Sequence, residues 1–168
     1  NQQNKPSVYE IDPTAEPAIQ GAYDIIPPND NGELDCSHLL VFEHPELGTT
    51  FIVTCKMAGS SEVSVIFQQK GATQSAFVNP SIETVNQLRL STNWDKLFLL
   101  GERNQESYLF IYQIDGQIGP EAKDKSQFSS TPLNLIPLAY NLNSFFGLNS
   151  KQFGLFVDFR SEEHTSEL

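Results

Sequence analysis

From Cys36 to Arg160 the chain alternates short apolar runs with polar turns rich in Gly, Asn and Ser. The first three runs are Leu39–Phe42, Phe51–Met57 and Val63–Gln68. Val85–Leu90, Leu97–Leu100 and Tyr108–Ile114 come next, and then Leu135–Tyr140, Phe145–Leu148 and Gly154–Phe159. Each is the length of a strand and too short for a helix with its own apolar face. The turns between them, such as Ala58-Gly59-Ser60-Ser61 and Arg103-Asn104-Gln105-Glu106, give the rhythm of successive hairpins. One helical turn is predicted after Pro80, at Ser81–Thr84. Residues 1–35 read as irregular, because Pro6, Pro13, Pro17, Pro27 and Pro28 interrupt them. Asn29-Asp30-Asn31-Gly32 reads as a turn, and Pro27 stands where a calcium loop would need its first acid. The pattern therefore predicts an all-β fold behind an irregular, proline-rich N-terminal segment.

The runs also repeat. Ser64-Val65-Ile66-Phe67-Gln68 aligns with Leu109-Phe110-Ile111-Tyr112-Gln113, with Ile66 and Ile111 45 residues apart. Leu155-Phe156-Val157 matches Leu109-Phe110-Ile111 a further 46 residues on. In the preceding run, Ile52, Phe98 and Phe146 recur at gaps of 46 and 48. A period of about 40–50 residues with several short strands per unit is the mark of propeller blades. A small twisted sheet cannot bury both its faces alone, and radial stacking buries them against neighbours. The expected architecture is an incomplete β-propeller of about three antiparallel blades over 36–160, divided near 36–80, 81–130 and 131–160. A β-sandwich is the alternative, since its strands and turns have a similar rhythm.

The second unit carries a family resemblance. Leu88-Arg89-Leu90-Ser91-Thr92-Asn93-Trp94-Asp95-Lys96-Leu97-Phe98-Leu99-Leu100-Gly101, with Leu109-Phe110-Ile111-Tyr112-Gln113-Ile114-Asp115-Gly116 after it, resembles a blade of the lactonase/YVTN-type propellers. WD40 blades are similar at this level. In place of the family's Pro-Asp-Gly turn the chain has Ser91–Lys96, and Trp94-Asp95 stands before a strand rather than at a strand end. No catalytic motif of the family is matched, so the resemblance implies a fold and no active-site residue.

Composition narrows the function. Aromatic content is 11%, with 12 Phe and 5 Tyr, residues that favour pleated, half-buried surfaces. The net charge of −11 repels phosphate, so no nucleic-acid partner is expected. No apolar stretch approaches the roughly 20 residues of a membrane-spanning helix, and no membrane insertion is expected. The chain begins at Asn1, which suggests a cut or processed start. Ser161–Leu168 resembles translated sequencing-adapter sequence, so this tail is read as non-native and further units are expected beyond Arg160. Three blades cannot close a ring of the usual 4–8.

Cys36 and Cys55 flank one hairpin. A register that pairs Leu39 with Ile52 also sets Cys36 opposite Cys55, within reach of a disulfide. Two buried free thiols are the other reading. The disulfide would favour a secreted or periplasmic setting over the cytoplasm. Cys36, His38 and His44 lack paired ligand spacing, so neither a metal nor another cofactor is expected. No nucleophile elbow, phosphate loop or zinc-protease motif occurs. Trp94, Asp95, Glu102 and Glu106 are the candidate binding rim, on turns of the second unit. The function expected from these features is a non-catalytic scaffold for a protein or other macromolecular partner. A secreted β-sandwich adhesin or structural domain and a lactonase-like propeller hydrolase are the alternatives.

Overall fold

The computed structural model describes residues 5–27, 32–45, 47–73, 75–91 and 96–113, together with the backbone of strands at 134–137, 144–147 and 153–156. Trp94, Asp95, the polar loop around 119–126 and the tail 161–168 lie outside the described residues. The chain is all-β, with no helix among those residues. Its sheets are antiparallel and none is closed. Two compact units divide it, the first carrying β1–β6 and the second β7–β12.

In the first unit β1 (Ser7–Ile11) and β2 (Ile19–Asp24) form a hairpin, so residues 1–35 are not wholly irregular. Prolines 6, 13 and 17 bound and turn these strands instead of preventing them. A β-strand needs only a few residues between breakers, and Ser7–Ile11 supplies alternating side chains between Pro6 and Pro13. Asp12 organises the turn: its carboxylate accepts from the Thr14 backbone N–H at 2.9 Å and from the Thr14 hydroxyl at 2.7 Å. The Glu16–Pro17 peptide within the turn is cis.

Behind the hairpin lies a four-stranded meander: β3 (Leu34–His44), β4 (Gly48–Met57), β5 (Val63–Gln69) and β6 (Ala76–Val78), adjacent in chain order. Both faces of its central strands are buried. Phe51, Val53, Cys55 and Ile66 join Ile25 and Leu34 in a cluster that Val8 and Tyr23 of the hairpin cover. On the other face Thr50, Ile52, Thr54, Val65 and Phe67 are equally inaccessible. Each such aliphatic or aromatic side chain contributes about 1.5–3 kcal/mol by leaving water.

The main register of β3 on β4 differs by one residue from the expected one: Leu39 faces Val53, and Leu40 faces Ile52. A β-bulge at Ser37 absorbs the difference and returns Cys36 to a position opposite Cys55. The two sulfurs are bonded at 2.04 Å.

The second unit holds a second meander, with β7 (Thr84–Leu90), β8 (Lys96–Arg103), β9 (Glu106–Gln113) and β10 (Asn134–Pro137) in order. Ser81 has φ 55°, in the left-handed region, and β7 begins at Thr84, so the helical turn expected at Ser81–Thr84 is absent. Leu97 through Leu100 are buried without a break, as are Leu109 through Tyr112. Asn104 and Gln105, at φ 52° and 66°, make the two-residue turn whose twist matches paired strands. β10 pairs with β9 and completes this sheet, whereas the apolar pattern groups Leu135–Tyr140 with a third unit. The last two strands, β11 (Ser144–Gly147) and β12 (Phe153–Phe156), form a two-stranded hairpin.

A bulge also interrupts β7, between Val85 and Gln87, where Val85 faces Gly101. Cys55 and Gly101 are 46 residues apart, the spacing of Ile52 and Phe98. The two meanders thus share one irregularity in the same place. The third strands do not keep step. Ile52 faces Phe67, but Phe98 faces Ile111, so the aligned Ile66 and Ile111 stand on opposite faces of their sheets. A register slip of one residue exchanges the faces of a strand. Here both faces are apolar, so the exchange exposes nothing.

Candidate functional site

The large exposed apolar side chains of the described surface are Tyr9, Ile11 and Ile19 of the hairpin and Leu39 and Val41 of β3, with Tyr9, Leu39 and Val41 beside the space between hairpin and sheet. The hairpin reaches this place through two sets of bonds. Gln68, 3% exposed, accepts from the Ile26 N–H at 2.8 Å and donates to the Asp24 carbonyl at 2.8 Å. The Ser75 hydroxyl donates to the Ile26 carbonyl at 2.8 Å, and Ile25 N–H donates to Pro6 O at 2.9 Å. The Gln68 and Ser75 bonds tie the end of β2 to β5 and to the residue before β6, and the Pro6 bond closes the hairpin on itself. At the outer end Lys70 Nζ lies 2.7 Å from Glu10 Oε2, and the Tyr23 hydroxyl donates to the same oxygen at 3.0 Å. Lys70 also stands 5.2 Å from the Tyr23 ring centroid.

The Lys70 bond, helped by the Tyr23 hydroxyl and the Lys70 charge, holds the Glu10 carboxyl below the usual carboxylate range. The same bond to Glu10 raises the Lys70 ammonium above its ordinary value. Two adjoining cavities run along β3 on the hairpin side. One, of about 240 Å³, lies between Tyr9, Glu10 and Tyr23 on one wall and Val41, Glu43 and Phe51 on the other. The second, of about 230 Å³, runs past Val8, Ile25, Cys36 and Leu39. Together they form a groove that is apolar near the disulfide and acidic near Glu10 and Glu43.

The bulge gives the groove a polar rim. The Ser37 hydroxyl lies 3.0 Å from His38 Nδ1 and 3.0 Å from the buried Thr54 hydroxyl, which accepts from the His38 N–H at 3.1 Å. This is a Ser–His contact without a described carboxylate behind the imidazole, and it does not make a triad. Both cysteine sulfurs are used in their mutual bond and are not metal-binding thiolates. Among the described residues no three His, Cys, Asp or Glu side chains gather as a metal site.

Of the rim expected on the second unit, Trp94 and Asp95 lie outside the described residues. Glu102 and Glu106 are at the β8–β9 turn, where Glu102 faces Ser107 and Arg103 faces Glu106. Lys96, the residue after Asp95 in sequence, opens β8 at the other end of the strand. The Tyr108 hydroxyl donates to Glu106 at 2.6 Å, and that bond raises the phenol pKa. Arg103 donates from Nε to Ser81 O at 2.8 Å and lies 5.3 Å from the Phe110 ring centroid. The Tyr112 hydroxyl is buried without a partner among the described residues, and desolvation raises its pKa while the Arg103 charge opposes the rise.

The groove residues Tyr9, Glu10, Tyr23 and Lys70 are not singled out by the sequence pattern. The available signal is the alternation Val8-Tyr9-Glu10-Ile11 between two prolines, a strand pattern in a segment that otherwise reads as irregular. Comparisons with protein-family models, curated proteins and solved structures give no match. The chemistry of the surface is therefore the basis for a functional reading.

Proposed function

We propose that this chain is part of a propeller-type β-scaffold that binds a macromolecular partner and performs no chemistry of its own. One observation carries the architecture: two successive four-stranded antiparallel meanders, each with a bulge in its first strand opposite positions 46 residues apart. Four-stranded antiparallel sheets repeated at that spacing are the unit of a propeller, and burial on both faces suits radial stacking. Binding is favoured over catalysis because the described surface carries an apolar groove with a short acidic end, and such patches mark interaction sites.

The complete reading frame, sequenced through Arg160 and solved as the full-length protein, tests the architecture. Further four-stranded sheets at a spacing near 46 residues are expected, the gap between Ile52 and Phe98. A chain without them would replace the propeller by a secreted β-sandwich, which the Cys36–Cys55 bond favours by pointing to an oxidising compartment. The full-length protein is also expected to leave a panel of lactones intact with or without divalent metal. Turnover would overturn the non-catalytic reading in favour of a lactonase-like hydrolase.

A further inference from the structure

We infer that β3 is an open docking edge for an extended partner segment, added antiparallel, that carries Lys or Arg opposite Glu43 and aliphatic side chains opposite Val41 and Leu39. The inference rests on the reading of the chain as a binding scaffold and names the chemistry of its partner.

Among the described residues β3 is an end strand of its sheet, with β4 as its strand neighbour. In an antiparallel pair, alternate residues of each strand aim N–H and C=O away from the partner. Such an edge is a template for another strand, and natural sheets protect theirs with charge, proline or cover. Between the bulge at Ser37 and the turn at Pro45, the side chains on the groove face are Leu39, Val41 and Glu43. Leu39 is 47% exposed and Val41 53%. The protecting charge is therefore confined to one end, where Glu43 accepts from the Thr49 hydroxyl and keeps its second carboxylate oxygen for another donor.

The groove fixes which side of the added strand matters. β1 overlooks the same face, and the cavities between β1 and β3 lie alongside Leu39, Val41 and Glu43. Every second side chain of an added strand would enter that groove. Those opposite Leu39 and Val41 would meet Val8 and Tyr9, the latter itself 58% exposed. The one opposite Glu43 would meet a carboxylate pair, Glu43 and Glu10, with a single cation, Lys70, already bonded to Glu10. Backbone bonds supply affinity in strand addition and alternate pockets supply selectivity.

Charge selects the occupant. A second copy of the chain could align only its unbulged stretch, 38–44, and centring that stretch on Val41 sets each Glu43 against a Leu39. That arrangement desolvates two carboxylates without a cation, and the copies would carry −11 each. A basic segment with aliphatic residues behind its cation meets the same edge with every position matched.

The test uses the full chain and a fluorescein-labelled, end-blocked peptide with arginine, valine and valine at alternate positions, separated by threonines. Fluorescence polarisation is expected to give saturable binding that weakens as salt rises. Leu39→Lys, an exposed change that leaves the thermal melt in place, is expected to weaken binding about tenfold. Glu43→Lys is expected to weaken it several-fold, roughly the scale of one exposed charge contact, and to restore it for a peptide with glutamate in place of arginine. A peptide N-methylated at alternate amides is expected not to bind. Equal binding of the methylated peptide, failure of the charge swap, or absence of binding by the parent peptide would overturn the docking edge. So would dimerisation of the chain in sedimentation that Leu39→Lys abolishes. Each of these leaves the scaffold reading to be decided by the reading frame, and a frame without further sheets would remove the scaffold without touching the peptide result.

Discussion

In the first meander the bulge at Ser37 sets Cys36 against Cys55, and the two are bonded. In the second the bulge beside Val85 sets that residue against Gly101. A Cβ placed on Gly101 would lie 2.8 Å from the Thr84 carbonyl oxygen and 3.1 Å from Ile82 Cδ1. The same irregularity is thus pinned covalently in one sheet and by close backbone approach in the other. The bulge occurs in both meanders, and the means of holding it differs between them. The sheets differ also in cover. β1–β2 lies over one face of the first, and the groove is lined by that hairpin and the edge strand β3.

The largest effect should come from the covalent pin. Cys36 and Cys55 are separated by 19 residues, and closing a loop of that size stabilises by roughly 3 kcal/mol in the chain-entropy model. The double change Cys36→Ser, Cys55→Ser is expected to lower the unfolding free energy of the first unit by about that amount in urea. The second unit should be unchanged, which hydrogen exchange resolved by strand can read. Equal loss in both units would mean that the bulge has no separate fastening in each sheet.

Gln68 comes next. Gln68→Leu keeps the volume but removes the partners of the Ile26 N–H and the Asp24 carbonyl. Leaving such groups unsatisfied costs about 1–3 kcal/mol. The expected result is faster exchange in β1 and β2, with protection kept in β4 and β5. Gly101→Ala should cost about 1–3 kcal/mol in the second unit, because the methyl group meets backbone that cannot turn aside. Its effect should fall on β7–β9. Together the two changes separate hairpin docking from bulge fastening, and chemical denaturation coupled to exchange mass spectrometry distinguishes them. A smaller effect of opposite sign is expected at the β8–β9 turn. Gln105 holds φ 66° without being glycine, and Gln105→Gly should stabilise the second unit by about 0.5–1 kcal/mol, measured as a higher urea midpoint.

The strands of the two meanders are legible in the sequence because apolar runs between polar turns have few other uses at that length. β6 is the exception, since Ala76–Val78 is too short to stand out. Register is not legible. Where one face is solvated, a slip exposes apolar side chains and the pattern decides; in β4, β5, β8 and β9 both faces are buried. Ile66 and Ile111 look equivalent for that reason and are not. The placing of Leu135 in the second sheet depends on a pairing with Phe110, 25 residues back, which no local pattern encodes. The groove is hidden because the prolines of residues 1–35 read as interruption, although a five-residue strand stands between them. Its acidic end needs Glu10 and Lys70, 60 residues apart.

That last contact gives the smallest effect and the sharpest test of what the hairpin adds. Folding lowers the pKa of Glu10, so its contribution is present above the ordinary carboxylate value and is lost as the pH falls through the folded value below it. Folding raises the pKa of Lys70, so its contribution is present below the ordinary lysine value and is lost as the pH rises through the folded one. The link between hairpin and sheet should therefore hold across the interval from below the ordinary carboxylate value of 4.5 to above the ordinary lysine value of 10.5, and open at either side. Both groups face water, so the global melt should hardly move and salt should blunt the remainder. The Tyr23 ring, which lies under Lys70 and is bonded to Glu10 through its hydroxyl, is the reporter. Its NMR signals should shift through the acid transition in the parent chain and stay fixed in Glu10→Gln, while signals from Tyr108 on the second unit should be the same in both chains. A Tyr23 transition that survives Glu10→Gln would place the acid sensitivity of the hairpin on another carboxylate, and the docking of the hairpin would then rest on the bonds of Gln68 and Ser75.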